Sequence, residues 1–213
     1  YADPEEFRAE VLRLMDEYRD DRRRGKRLDY DEVDTPDEKN IIMLSPGKLG
    51  GKGRGLAFIN TLIQNLDTSE FNARVNVRIP ITAIIGTDEF TAFMKRGDLM
   101  PYAMSCPPYE ELRERFNATP LSDKLMARLK RFVGQVRRPL AIRSSSLSED
   151  SLNQPFAGVF DTYLVPNNAD TVEENAANVA SAVKMVFASI YSPTSRAYFQ
   201  TTRVNIEKEK MAV

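Results

Sequence analysis

Half of the chain's 10 glycines fall in one short stretch, Ser45-Pro46-Gly47-Lys48-Leu49-Gly50-Gly51-Lys52-Gly53-Arg54-Gly55. An apolar run, Ile41-Ile42-Met43-Leu44, precedes it, and Leu56, Ile59, Leu62, Ile63 and Leu66 follow at helical spacing as one stripe. This order predicts a strand, a glycine-rich turn and a helix. Glycine permits positive φ and close approach of backbone to a ligand, and a helix N-terminus adds partial positive charge. With Lys52 and Arg54 alongside, Gly50-Gly51-Lys52-Gly53 reads as a phosphate cradle, or else as a flexible cationic surface turn. It is not a Walker A loop, since Gly53 stands where that motif needs a hydroxyl for Mg²⁺. The dinucleotide fingerprint opens at Gly51-Lys52-Gly53 but meets Leu56 where its third glycine belongs.

The remaining pattern is a mixed α/β one. Phe7, Val11, Leu14 and Tyr18 mark an amphipathic helix from residue 4 to about residue 19. It runs into Arg22-Arg23-Arg24-Gly25-Lys26-Arg27, a solvated helix end or a polyanion contact. Residues 28–40 read as a linker or surface loop, which sets a helical leader over 1–40 apart from a unit over 41–213. Residues 73–85 suggest a bent strand or strand pair around Pro80, followed by a short helix with Thr87 as N-cap and Phe90 and Phe93 inward. Residues 98–108 look like a loop, and 108–116 like a short charged helix. Thr119-Pro120 opens a helix that buries Leu121, Leu125, Leu129, Phe132, Val133 and Val136. Strands are expected at 139–143 and 159–165, then a long helix capped by Thr171 and Glu174, and another from Ser192-Pro193. Residues 207–213 read as the start of a further strand.

Composition removes whole classes of chemistry. The 213 residues contain no His and one Cys. No Ser-His-Asp or Cys-His nucleophile, no His-containing zinc site, no intrachain disulfide and no phosphohistidine can therefore reside on them. Lys and Arg total 30 against 31 Asp and Glu, a balance that argues against general nucleic-acid affinity. No apolar run approaches the ~20 residues of a membrane span, and no signal-peptide pattern follows Tyr1. A cytoplasmic setting is expected, with a numbering that starts inside a longer protein.

Arg143-Ser144-Ser145-Ser146-Leu147-Ser148-Glu149-Asp150 follows a buried strand, so Arg143 is expected to project from a rigid strand end. A guanidinium binds phosphoryl oxygens bidentately and keeps its charge, which suits stabilisation of a transferring phosphoryl group. The serines either donate to phosphate oxygens or cap the turn. In Gln154-Pro155-Phe156-Ala157-Gly158 the small residues admit a ligand or tolerate a bend.

Taken together, Gly50-Gly51-Lys52-Gly53, then Ile142-Arg143-Ser144-Ser145 with Glu149-Asp150, then Phe156-Ala157-Gly158, resemble the ATP-binding (PEP/pyruvate-binding) domain of phosphoenolpyruvate synthases and pyruvate phosphate dikinases. The resemblance covers about residues 45–213. It implies the N-terminal part of an ATP-grasp-like domain. Lys52, with Gly50, Gly51, Gly53 and Arg54, would contact ATP phosphates, and Arg143, flanked by Ser144 and Ser145, the phosphoryl in transfer. Thr87 matches the family's strand-end Thr near the nucleotide, whereas Thr82-Ala83-Ile84-Ile85-Gly86 departs from its usual Pro-Gly-Phe strand. In the family ATP phosphorylates a histidine on a separate domain, and the phosphoryl passes on to pyruvate or a related acceptor. The carboxylate that holds Mg²⁺ and the residues that clasp adenine are expected beyond Val213, so this piece alone is expected to be inactive and to bind ATP weakly. Glu149 and Asp150 are expected to orient the Arg143 loop. The alternative is a non-catalytic nucleotide-sensing module that regulates an attached domain.

Overall fold

The computed structural model describes residues 4–23, 25–66, 77–146, 148 and 158–213. The side chains of Tyr18 and of residues 22–24, the stretch 73–76 of the expected bent strand, and Leu147, Glu149, Asp150 and residues 154–157 lie outside the described residues.

The chain starts with helix α1 (Pro4–Arg23), whose Phe7, Val11 and Leu14 remain more than a third exposed. Strands β1 (Arg27–Asp29), β2 (Ile41–Ser45) and β3 (Thr82–Ile85) form a parallel sheet in that order. Helix α2 (Gly50–Asn65) lies between β2 and β3 in the chain. Successive side chains of a strand point to opposite faces, and a parallel sheet buries both. Ile41 and Ile84 therefore enter a small core with Leu49 and Ile79 beneath α2, while Ile42, Leu44 and Ile85 face the large core. Leu56 and Ile63 of α2 pack on the small core, but Ile59, Leu62 and Leu66 of the same stripe are about half exposed. The face of α2 that is fully buried carries Gly50, Gly51, Gly53 and Asn60, because close approach to the neighbouring backbone decides its orientation.

Residues 28–32, expected as linker or surface loop, instead form β1 and a short 3-10 turn, Tyr30–Glu32. Tyr30 is fully buried and donates its hydroxyl to Gln135 Oε1 at 2.8 Å. Arg128, 5% exposed, fastens the same segment: Nη1 donates to Leu44 O at 2.9 Å, and Nη2 to Asp29 Oδ1 at 2.6 Å. Its Nη2 also reaches Asp31 Oδ2, and this guanidinium holds the Asp31 carboxyl below the usual carboxylate range.

Helix α3 (Thr87–Arg96) has Gly86 rather than Thr87 as its N-cap, and buries Phe90 and Phe93 as expected. Helix α4 (Leu99–Met104) occupies part of the expected loop, with Leu99 and Ala103 buried and Pro101 in its first turn, where a missing N–H breaks no helical bond. Helices α5 (Tyr109–Ala118) and α6 (Asp123–Gln135) follow. The N-cap of α6 is Ser122, a few residues later than Thr119-Pro120 suggested, because the Ser122 hydroxyl accepts the Leu125 N–H. The predicted buried face of α6 is buried throughout.

Strand β4 (Leu140–Arg143) leads into β5 (Ser145–Ser146), and β4 pairs antiparallel with β6 (Thr162–Val165). Helix α7 (Val172–Ala188) follows, where Thr171 Oγ1 accepts the Glu174 N–H at 3.1 Å, and then α8 (Pro193–Thr202), capped by Ser192. Helices α5 and α6 pack on α7. Phe90, Phe93, Phe116, Phe187 and Tyr191 meet ring to ring across this layer, with centroids 5.2–5.9 Å apart. Burying each such ring stabilises the fold by roughly 2–3 kcal/mol. Strand β7 (Met211–Ala212) pairs antiparallel with β5, and Val213 exchanges both backbone bonds with Ile85 of β3, at 2.7 and 3.0 Å. No described helix is long and apolar enough to cross a membrane.

Candidate functional site

The glycine loop and the Arg-Ser-Ser turn meet. Ser145 Oγ donates to Leu49 O at 2.7 Å and accepts the Gly53 N–H at 2.9 Å, across 92 residues of sequence in the second case. Lys52 Nζ donates to Ser144 O at 3.0 Å and to Ser144 Oγ at 3.3 Å. Gly50, at φ +67°, sits so close to the turn that a Cβ there would lie 1.8 Å from Ser145 O. Only glycine fits that approach, which explains its place better than loop flexibility does.

The other side of the loop rests on α3. The Lys48 N–H donates to Thr87 Oγ1 at 3.0 Å, and the Thr87 N–H donates to Lys48 O at 3.1 Å. Gly47, at φ +117°, leaves no room for a side chain, since its Cβ would fall 2.6 Å from the Asp88 nitrogen. Thr87 is 3% exposed, so its hydroxyl supports the loop from behind rather than lining an open surface.

The electrostatics favour an anion. The first turn of α2 has no side-chain cap bond and no acidic residue, yet it carries Lys52, with Arg54 directly after it. Cations at the positive end of a helix are unfavourable by themselves, and a bound anion turns both contributions favourable. Lys52, Arg54 and Arg143 are exposed, whereas Ser144, Ser145 and Ser146 are buried. Arg143 closes β4 directly before the residue that holds Lys52. The arrangement thus offers fixed backbone around Gly50 and Gly51 and three cationic side chains, a donor set that suits a polyphosphate. Ser145 has both its proton and an acceptor position engaged within the chain, and the Gly53 N–H is likewise taken. Among the described residues no group of three or more His, Cys, Asp or Glu side chains stands together as a metal site.

Two residues tied to the turn were not anticipated. The Ser148 N–H donates to Ser146 Oγ at 3.2 Å, and Ser148 Oγ donates to the carboxylate of Glu209. Glu209 is 3% exposed, and of the strand expected over 207–213 only Met211–Ala212 forms, with a 3-10 turn at Ile206–Lys208 before it.

No curated protein matches the chain. The family description for the pyruvate phosphate dikinase AMP/ATP-binding domain matches residues 47–213. That span opens at the first glycine of the loop, takes in the Arg143 turn and closes on β7. It covers well over half of the sequence, and the chain belongs to the pyruvate phosphate dikinase AMP/ATP-binding domain family.

Proposed function

We propose that the chain is the ATP-binding part of a phosphotransferase of the phosphoenolpyruvate synthase or pyruvate phosphate dikinase type. In this reading a phosphoryl group passes from ATP to a histidine on a separate domain, and on to pyruvate or a related acceptor. The observation that carries it is the junction of the α2 N-terminus with the Arg143 turn through Ser145, Gly53, Lys52 and Ser144. ATP supplies the transferable phosphoryl group. Gly50 and Gly51 present backbone to its phosphates, Lys52 and Arg54 neutralise their charge, and Gly53 and Ser145 fix the helix start. Ser144 aims Lys52, and Thr87 holds the loop through Lys48. Arg143 is the catalytic residue, stabilising charge on the phosphoryl oxygens during an in-line transfer that needs positioning and electrostatics rather than a protein nucleophile. Mg²⁺ with ligands beyond Val213, an ATP-grasp-like architecture, and a cytoplasmic setting belong to the same proposal. So does the division at residue 40, with β1 docking the leader onto the unit that follows.

Nuclear magnetic resonance titration with Mg-ATP tests this reading. Shifts are expected at Gly50, Gly51, Lys52, Ser144 and the Arg143 side chain, with weak binding by the chain alone. Lys52→Ala should weaken it by about tenfold, the effect of one charge-assisted contact. Shifts confined to other surfaces, or an unchanged titration in Lys52→Ala, would overturn the assignment.

A further inference from the structure

We infer that Glu209 is a positioning residue for Arg143. The inference rests on the functional reading above for its consequence, but on geometry alone for its physical link. Two connections join the segment around β7 to the turn that follows Arg143, and a third closes the turn on itself. Ser145 and Ser146 pair with Ala212 and Met211 through the backbone. The Ser148 N–H closes back onto Ser146 Oγ at 3.2 Å. Ser148 Oγ donates to Glu209 Oε2, a carboxylate on a residue only 3% exposed. The turn is therefore held at both ends: β4 fixes it before Arg143, and Glu209 fixes it at Ser148.

A hydrogen bond to a buried carboxylate is stronger than one between neutral groups, and removing either partner leaves the other underserved. Glu209 itself is fixed in place. It follows the 3-10 turn Ile206–Lys208, donates its N–H to Ile206 O at 3.2 Å, and precedes β7 by one residue. From Ser148 the constraint passes through Ser146 and Ser145 to Leu49 and Gly53, and through Ser144 to Lys52. One carboxylate is thus tied to the turn that follows Arg143 and meets the cationic start of α2. The contact that carries this role is the one with Ser148. Glu149 and Asp150, expected from the sequence to orient the Arg143 loop, lie outside the described residues; Glu209 reaches the same turn from the segment between the 3-10 turn and β7.

Amide hydrogen exchange on the chain without nucleotide tests the physical link. Glu209→Ala and Ser148→Ala should each speed exchange at Ser144, Ser145 and Ser146 by about tenfold, the size expected for one such bond. The double variant should do no more than Glu209→Ala alone, because that change already removes the Ser148 contact. Glu209→Gln, which keeps an acceptor oxygen, should restore most of the protection. Exchange in α7 should stay at the wild-type rate. Unchanged exchange at the turn, additive effects, or equal acceleration in α7 would each overturn the inference. With Mg-ATP added, the Arg143 side-chain shift should shrink in Glu209→Ala and return in Glu209→Gln. If the wild-type chain shows no Mg-ATP response, the functional reading fails while the exchange result still decides the role of Glu209.

Discussion

Single residues here are constrained by what stands within a few ångström of them. Gly50 and Gly55 lie in the same helix and face opposite demands. A Cβ on Gly50 would meet Ser145 O at 1.8 Å with φ at +67°, whereas a Cβ on Gly55 would meet nothing within 4 Å. Gly50→Ala should therefore destabilise the chain by about 2–4 kcal/mol through overpacking and left-handed strain. Gly55→Ala should stabilise it by about 0.5–1 kcal/mol through helix propensity. Urea denaturation of both variants checks the pair, and equal effects would contradict the packing described at the Ser145 contact. Sequence alone marked the loop by its glycines and left their purpose open, without distinguishing Gly50, demanded by backbone contact, from Gly55, which meets nothing.

Elements depend on their caps to different degrees. Ser122 and Thr171 both accept a helix N–H, from Leu125 and Glu174 respectively. Ser122 also donates to Glu89 Oε2 at 2.6 Å, and Glu89 is a buried carboxylate. Thr171→Ala should cost about 1 kcal/mol and Ser122→Ala about 2 kcal/mol, the excess coming from the underserved Glu89. Thermal or urea melts of the two variants measure the difference. The periodic helices were legible because their apolar positions repeat, as in α6 with Leu125, Leu129, Phe132 and Val133. Helix α4 was not, since six residues carry too little period and Pro101 argues for a loop. Strand β1 was hidden because Arg27 and Asp29 flank a single buried Leu28, and its place is secured by Arg128 from far along the chain. Glycine spacing and the Arg-Ser-Ser run marked two segments that the fold brings into contact, but only tertiary structure could join Ser148 to Glu209.

At the scale of the whole molecule, the aromatic layer makes stability depend on alkaline pH. Burial pushes the Tyr191 hydroxyl well above its ordinary value, with Arg196 partly opposing it, and Tyr109 is raised mainly by burial as well. A phenol of raised native pKa contributes stability that is complete below its unfolded value, about 10, and is lost as pH rises further toward the native value. Among the described residues Tyr191 donates to Met100 Sδ alone, at 3.6 Å, so Tyr191→Phe should change little at pH 7.5. Above about pH 10 the variant should lose stability less steeply than the wild type, which urea titrations across that range would record. The connection of β7 to both β3 and β5 bears on synthesis too. Before β7 emerges from the ribosome, β3 and β5 each lack the backbone partner it supplies, although the glycine loop, Lys52 and Arg143 have long been made. Long-range pairing of this kind folds slowly and leaves nascent chains prone to edge-to-edge association. The junction of the glycine loop with the Arg143 turn thus matures late, and the waiting time falls on a chain that already displays its cationic loop.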